Sequence, residues 1–233
     1  MEARADAKQF ATALDELGPG LVACFTPHDA ANFSLLDEHR FRLISVRATL
    51  ERSVDGLIEP SSITASVGWN MQTRSVAKEM GAEGIRAFAE TIGATSRYFK
   101  DAQIPAARSL ALYEKWINNS LTTGLADEVF LASVDGKPAA LHTVKIKDDL
   151  GSVDLIGVLP AYQGRGLGAA SLWAGINHLK NRGVSKIDVV TEAENVDAVR
   201  MYERAGFFLV QVQFVYHRTT GAPITTQSLP IGV

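Results

Sequence analysis

The stretch Leu159-Pro160-Ala161-Tyr162-Gln163-Gly164-Arg165-Gly166-Leu167-Gly168 decides how this chain reads. It follows Ser152 to Leu159, a run rich in Val, Leu and Ile that predicts a strand. It precedes a predicted helix from about Leu167 to Arg182, with Leu172, Ile176 and Leu179 on one face. Three glycines alternate over five residues, so the main chain can approach a ligand without Cβ atoms in the way. The first N–H groups of a helix have no partners inside it, and its dipole favours an anion there. With the positive charge of Arg165 beside them, the glycine loop and the first N–H groups of the helix make a cradle for a pyrophosphate.

Three such cradles compete. A Walker A loop ends in Gly-Lys-Ser/Thr, which Gly168-Ala169-Ala170 does not offer. A dinucleotide fingerprint needs G-x-G-x-x-G, and Gly164-x-Gly166-x-Gly168 has another spacing. The coenzyme A pattern Q/R-x-x-G-x-G/A is met in full by Gln163 to Gly168.

Working outward, Glu128 to Val134 and Ala139 to Ile146 read as strands joined by Asp135-Gly136, a hairpin signal. Asp148 to Gly151 is a second turn. After the glycine loop come a strand (Lys186 to Thr191), a helix (Asn195 to Ala205) and a strand (Phe207 to His217). A helix between strands signals a crossover and parallel neighbours. The fold class is therefore α/β with a mixed sheet. Upstream, Pro105 opens a helix with Leu110, Tyr113, Ile117 and Leu121 on one face, and Thr73 to Thr91 is helical but broken near Gly81 and Gly84. Ile63 to Val67 is a short β candidate. Further back are a helix (Lys8 to Leu17), a short strand (Leu21 to Phe25), a short helix (Leu35 to Arg40) and a strand from Phe41 with Ile44, Val46, Ala48 and Leu50 alternating. Asp55 to Ser62 is the best boundary, which divides the chain into a small leading α/β region (1–60), a main domain (63–217) and a polar tail (218–233). No internal repeat is visible.

Composition narrows the partners. The 233 residues carry 23 basic and 26 acidic side chains, a formal charge of −3. Nothing basic points to nucleic acid or an anionic membrane surface. No apolar run is long enough to span a bilayer and no signal peptide is visible, so a cytoplasmic location is expected. One cysteine, Cys24, excludes an intrachain disulfide and a multi-cysteine metal site, and its apolar neighbours mark it as an inert thiol. No metal is expected.

Residues 63 to 217 resemble the GCN5-related N-acetyltransferase (GNAT) superfamily. The resemblance rests on Ile156-Gly157-Val158-Leu159-Pro160, on the Gln163 to Gly168 loop, and on Asn195 to Phe207 as N-x-x-A-x-x-x-Y-x-x-x-G-F. It implies acetyl-CoA as cosubstrate, with its pantetheine arm paired to the backbone of Ile156 and Val158 in a gap between splayed parallel strands. It implies that Gln163, Gly164, Arg165, Gly166, Leu167, Gly168 and Ala169 hold the pyrophosphate, that Asn195 contacts the cosubstrate, and that Tyr202 is the general acid. Asn195 also reads as a simple helix N-cap, and Tyr202 as a core aromatic. Direct transfer to a primary amine needs no covalent intermediate, and no convincing Ser-His-Asp or Cys-His arrangement is present.

For the general base there are two candidates, Asp154 on the strand before the loop and Glu192 at the end of the next, with His142 as a weaker third. Strand alternation puts Asp154 on the same face as Ile156 and Val158. The acceptor is expected to be a small-molecule amine. Phe41 to Ile44, Arg97-Tyr98-Phe99 and Phe214 to Arg218 look like nucleotide-amino-sugar acetyltransferases, which makes Arg97 and Tyr98 candidates for binding the nucleotide side. Thr191-Glu192-Ala193 departs from that group, where an amide is expected instead of the carboxylate. A peptide or protein terminus, or a silent acyl-CoA-binding module, are the alternatives. A monomer or homodimer is expected.

Overall fold

The computed structural model describes residues 7–56 and 69–221. The expected strand at Ile63 to Val67, most of the boundary and the end of the tail lie outside them. In chain order the elements are α1 (Ala7–Asp15), β1 (Gly20–Thr26), α2 (Ala30–Glu38), β2 (Arg42–Ser53), β3 (Trp69–Gln72), α3 (Arg74–Ala77), α4 (Gly81–Gly93) and α5 (Arg97–Lys100). They continue with α6 (Ala106–Thr122), β4 (Glu128–Val134), β5 (Lys137–Lys147), β6 (Leu150–Val158), α7 (Leu167–Asn181), β7 (Lys186–Glu192), α8 (Val196–Arg204) and β8 (Phe208–Thr220). The helix expected over Thr73 to Thr91 is divided at Gly81, whose φ of +74° lies outside the helical region. The second helix begins earlier than its apolar residues suggest, because the Asp29 carboxylate caps the N–H groups of Ala31 and Asn32.

The eight strands form one mixed α/β sheet in the order β1-β8-β2-β7-β6-β5-β4-β3. Among the described residues only β6 and β7 run parallel; the other neighbours are antiparallel. One face packs on α7 and α8 through Leu172, Ile176, Leu179, Val153, Ile187, Val189 and Tyr202. The opposite face packs on α4 and α6 through Phe88, Ile117, Leu121, Leu131, Leu141 and Leu155. Strand β2 belongs by sequence to the leading region, yet it lies inside the sheet, hydrogen-bonded to β7 on one side and β8 on the other.

That position exposes a repeat the sequence hides. Units β1-α2-β2 and β7-α8-β8 correspond at a constant offset: Gly20 with Lys186, Ala30 with Val196, Arg42 with Phe208. The strand order β1-β8-β2-β7 is unchanged when the two units are exchanged, as a two-fold axis normal to the sheet requires. The β2–β8 ladder obeys the same axis. Arg42 pairs with His217 and, at the equivalent place, Phe208 with Glu51; the central pair is Arg47 with Gln213. The ladder skips Ile44 on one strand and Val210 on the other, which are equivalent positions. The helix ends match too. Phe41 N donates to Leu36 O at 2.8 Å, and Phe207 N to Tyr202 O at 3.0 Å. Each follows a left-handed residue, Arg40 (φ +58°) and Gly206 (φ +83°).

Candidate active site

The parallel pairing of β6 and β7 ends at Val153 with Val189. Beyond it the strands part, and among the described residues the β7-facing backbone of β6 has no strand neighbour. A cavity of about 1040 Å³ opens there, lined by Ile156, Val158, Gln163, Gly164, Gly166, Leu167, Gly168, Glu192, Asn195 and Tyr202 among others.

At its mouth the chain makes a 3-10 turn over Pro160–Tyr162 and enters α7 through Gly164 (φ +73°) and Gly166 (φ +80°). Only glycine takes these angles without strain. Gly166 is the N-cap of α7 and offers no side-chain acceptor, so the first amides of the helix stay open. A Cβ on Gly168 would lie 3.1 Å from Met201 Sδ, so glycine lets α7 pack closely on α8. Gln163 acts on the strand: its Nε2 donates to Val158 O at 2.9 Å and fixes the end of β6. These features fit a pyrophosphate and a pantetheine arm. Arg165 is exposed, with its guanidinium 5.7 Å from the Tyr162 ring centroid, and neither Arg165 nor Ala169 lines the cavity.

Asn195 and Tyr202 share a face of α8 and both reach the cavity. Asn195 occupies the N-cap position but makes no capping bond with its side chain. Instead its Nδ2 donates to Thr95 Oγ1 at 3.3 Å, across the mouth. Tyr202 is 3% exposed, and burial pushes its phenol well above the ordinary tyrosine value, so the group stays protonated at neutral pH.

Strand alternation fails at Asp154. The β5–β6 ladder passes from Thr143/Leu155 to Val144/Val153, leaving Asp154 as the extra residue of a β-bulge. Ile156 and Val158 pack with the α7 side of the sheet, whereas the bulge turns Asp154 to the α6 side. There its Oδ2 accepts from Trp116 Nε1 at 3.0 Å, and Lys145 Nζ lies 3.1 Å from Oδ1. The carboxylate is held by donors on both oxygens. Glu192 differs. Its Oε1 accepts from the Arg97 backbone N–H at 3.1 Å and lies 3.9 Å from Arg97 Nη1, while Oε2 is buried with no hydrogen-bond partner. His142 lies beneath α7, fully buried and outside the cavity lining. Its Nδ1 is 2.8 Å from Ser171 O, and burial takes its pKa down to about 4. It is a neutral core imidazole under Gly175, where any Cβ would strike the ring.

Arg97 and Tyr98 also line the cavity, with Arg97 Nη2 donating to Tyr98 Oη at 2.9 Å. Helix α5, which carries them, is a single turn that needs an anchor. Asp101 at its C-cap supplies it, bonded to Arg42 Nη2 of β2 (2.7 Å) and His217 Nδ1 of β8 (2.9 Å). Sequence reasoning missed Arg47, Lys145 and Asp188, which complete the charged wall. Their signal appears only in the pairing: Arg47 is the ladder partner of Glu192. Among the described residues no cluster of His, Cys, Asp or Glu could hold a metal ion, and no helix is long and apolar enough to cross a membrane. Cys24 is half-buried, and burial raises its thiol.

Comparison with known proteins agrees with this geometry. A model of the acetyltransferase (GNAT) family matches residues 94–207. The chain is 30% identical over 185 residues to a mycothiol acetyltransferase of Clavibacter michiganensis subsp. michiganensis, covering 78% of this chain and 55% of that one. It is 40% identical over 85 residues to the mycothiol acetyltransferase of Propionibacterium freudenreichii subsp. shermanii, covering 35% of this chain and 27% of the other. The chain thus spans about half the length, or less, of these curated relatives. In fold it is similar to a GCN5-related N-acetyltransferase from Sphaerobacter thermophilus, with a TM-score of 0.64, 17% identity, and 93% of this chain and 65% of that chain covered. The family uses acetyl-CoA as its cosubstrate. A splayed parallel pair, a glycine loop at a helix start and a buried tyrosine facing the gap all lie within residues 94–207, and it is these residues that belong to the GNAT acetyltransferase family.

Proposed function

We propose that this chain is an acetyl-CoA-dependent N-acetyltransferase that acts on a primary amine of a small polar molecule. The observation that carries the reading is the parting of β6 and β7 after Val153 and Val189, with the open amides of α7 at one end of the gap and Tyr202 and Glu192 on its walls. Acetyl-CoA supplies the acetyl group as a thioester. The α7 amides hold its pyrophosphate, and the open edge of β6 at Ile156 and Val158 pairs with its pantetheine amides, since unpaired strand groups need partners. Glu192 takes the proton of the acceptor ammonium on Oε2, the oxygen without a partner. Nitrogen then forms the bond to the acetyl carbon as the carbon–sulfur bond breaks; Tyr202 delivers its phenol proton to the leaving sulfur and regains one from the acylated nitrogen as that becomes a neutral amide, while Glu192 gives up its proton to water. Asp154 positions Trp116 and Lys145 on the acceptor side of the bulge.

For the acceptor, the relatives' shared name favours the substrate of mycothiol acetyltransferases. An amino sugar on a nucleotide carrier is the second reading, supported by the paired side chains of Arg97 and Tyr98 on the acceptor wall. Mass-spectrometric detection of acetylated product separates them, with acetyl-CoA supplied alongside that substrate, nucleotide amino sugars and peptides. Binding of acetyl-CoA with no acetylated product from any amine overturns the enzyme reading.

A further inference from the structure

The leading unit contributes more than a strand. Arg47 of β2 lies beside Glu192 of β7 and lines the cavity with Arg97. The two guanidiniums stand 5.3 and 5.5 Å from the centroid of one ring, Phe25 of β1. Each has a buried Nε without a hydrogen-bond partner. Among the described residues no ion pair within 4 Å engages Arg47. Burial, and then the field of Arg97, hold its pKa below the usual arginine value. The nearby carboxylates leave it unsatisfied. Glu192 spends Oε1 on the Arg97 backbone, and Asp188, whose pKa burial raises, bonds Ser152.

Sheet architecture does not require this charge. The two-fold axis passes between Arg47 and Gln213, so the equivalent half-buried site on the other strand is filled by a neutral amide. Two like charges with unused donors, turned into a substrate cavity, suit a bound anion, because guanidinium donors bond carboxylate or phosphate oxygens strongly.

We propose that Arg47 and Arg97 form an anion-binding subsite of the acceptor pocket, so that the amine acetylated by this chain carries a carboxylate or phosphate group. This rests on the acetyltransferase reading and, of its two acceptors, sharpens the second, an amino sugar on a phosphate-bearing nucleotide carrier. The anion sits on the β2 side of Glu192, and the amine on the side of the splayed strands.

Calorimetry on the CoA-loaded full chain tests it with matched probes: glucosamine 6-phosphate against glucosamine, and glycine against glycinamide. The anionic member of at least one pair binds about 10- to 100-fold more tightly, the range of a charge-assisted hydrogen bond. Which pair shows the difference identifies phosphate or carboxylate. Arg47→Gln, the residue already found across the axis, abolishes that difference while CoA affinity is unchanged, and Arg47→Lys restores part of it. With an active acceptor, Arg47→Gln raises its KM and leaves kcat unaltered. Equal binding within both pairs, no binding of any probe, or an Arg47→Gln variant that keeps the preference overturns the subsite. Failure of the chain to bind CoA overturns the acetyltransferase reading instead.

Discussion

The units β1-α2-β2 and β7-α8-β8 share a backbone plan but not a task. They match in element boundaries, ladder bulges and helix-end hydrogen bonds. At the positions that face the cleft in the second unit, Glu192, Asn195 and Tyr202, the first has Thr26, Asp29 and Leu36. The second unit has the parallel strand β6 beside it; the first stands at the sheet edge. The same scaffold therefore borders the cavity where a splayed neighbour exists. Where there is none, it serves as structure and, through Arg47, as one wall of the other unit's site. Both units have the same fold, and function follows the side chains placed on it.

The largest effects should come from breaking that asymmetry at the cleft. Glu192→Gln is expected to lower kcat/KM by about 10³-fold near neutral pH, within the range for a lost general base. Thr26→Ala, its counterpart, leaves turnover unchanged. Tyr202→Phe is expected to reduce kcat by about 10²-fold with no loss of thermal stability. Because burial raises the Tyr202 phenol, the acid form persists as pH rises, and the alkaline limb of kcat lies above the ordinary tyrosine value of about 10. A limb below that value, absent from the phenylalanine variant, contradicts the assignment.

Stability contrasts are smaller. The ladder pair Arg42/His217 holds Asp101, whose side chain is fully buried, while the equivalent pair Phe208/Glu51 holds nothing comparable. Asp101→Asn is expected to cost about 2–4 kcal/mol by urea denaturation, because it leaves Arg42 without its partner. Glu51→Gln stays within about 0.5 kcal/mol. Burial alone would raise the Asp101 carboxyl, but bonds from Arg42, Gln103 N–H and His217 bring it below the usual range. Its folded value is below its unfolded one, so its contribution is complete above about pH 4 and is lost as pH falls further. The smallest contrast lies at the helix ends. Gly206→Ala is expected to cost about 1 kcal/mol because φ is +83° there, and Arg40→Gly to gain up to about 1 kcal/mol at φ +58°. Equal responses at the two sites would mean that the left-handed turn is not what they share.

Much of the fold was legible because local rules applied: the hairpin at Asp135-Gly136, the apolar stripes of α6 and α7, and the glycine loop with its helix. The repeat was not. Between equivalent strands only scattered residues coincide, such as Phe41 with Phe207, Leu43 with Leu209, Val46 with Val212 and Arg52 with Arg218. What the two units share is hydrogen-bond geometry, which many sequences satisfy. The facing of Asp154 was hidden for a related reason: a bulge changes strand parity without leaving a sequence signal. Arg47 could be recognised only once β2 was known to lie beside β7, because a long-range pairing sets its neighbours. The N-cap reading of Asn195 failed more simply, because Thr95 is the partner its amide reaches.

The insertion of β2 between β7 and β8 also fixes an order of events during synthesis. Ser53 leaves the ribosome roughly 130 residues before its partner Lys186, and translation runs at about 5–20 residues per second. For something like ten seconds, each new molecule carries a finished strand with neither neighbour made. Its Ala48 and Leu50 side chains have no lasting cover until Ile187, Val189, Tyr202 and Phe207 are made. The wall that carries Arg47 is then completed only when β8 has been made, although β2 is translated well before it.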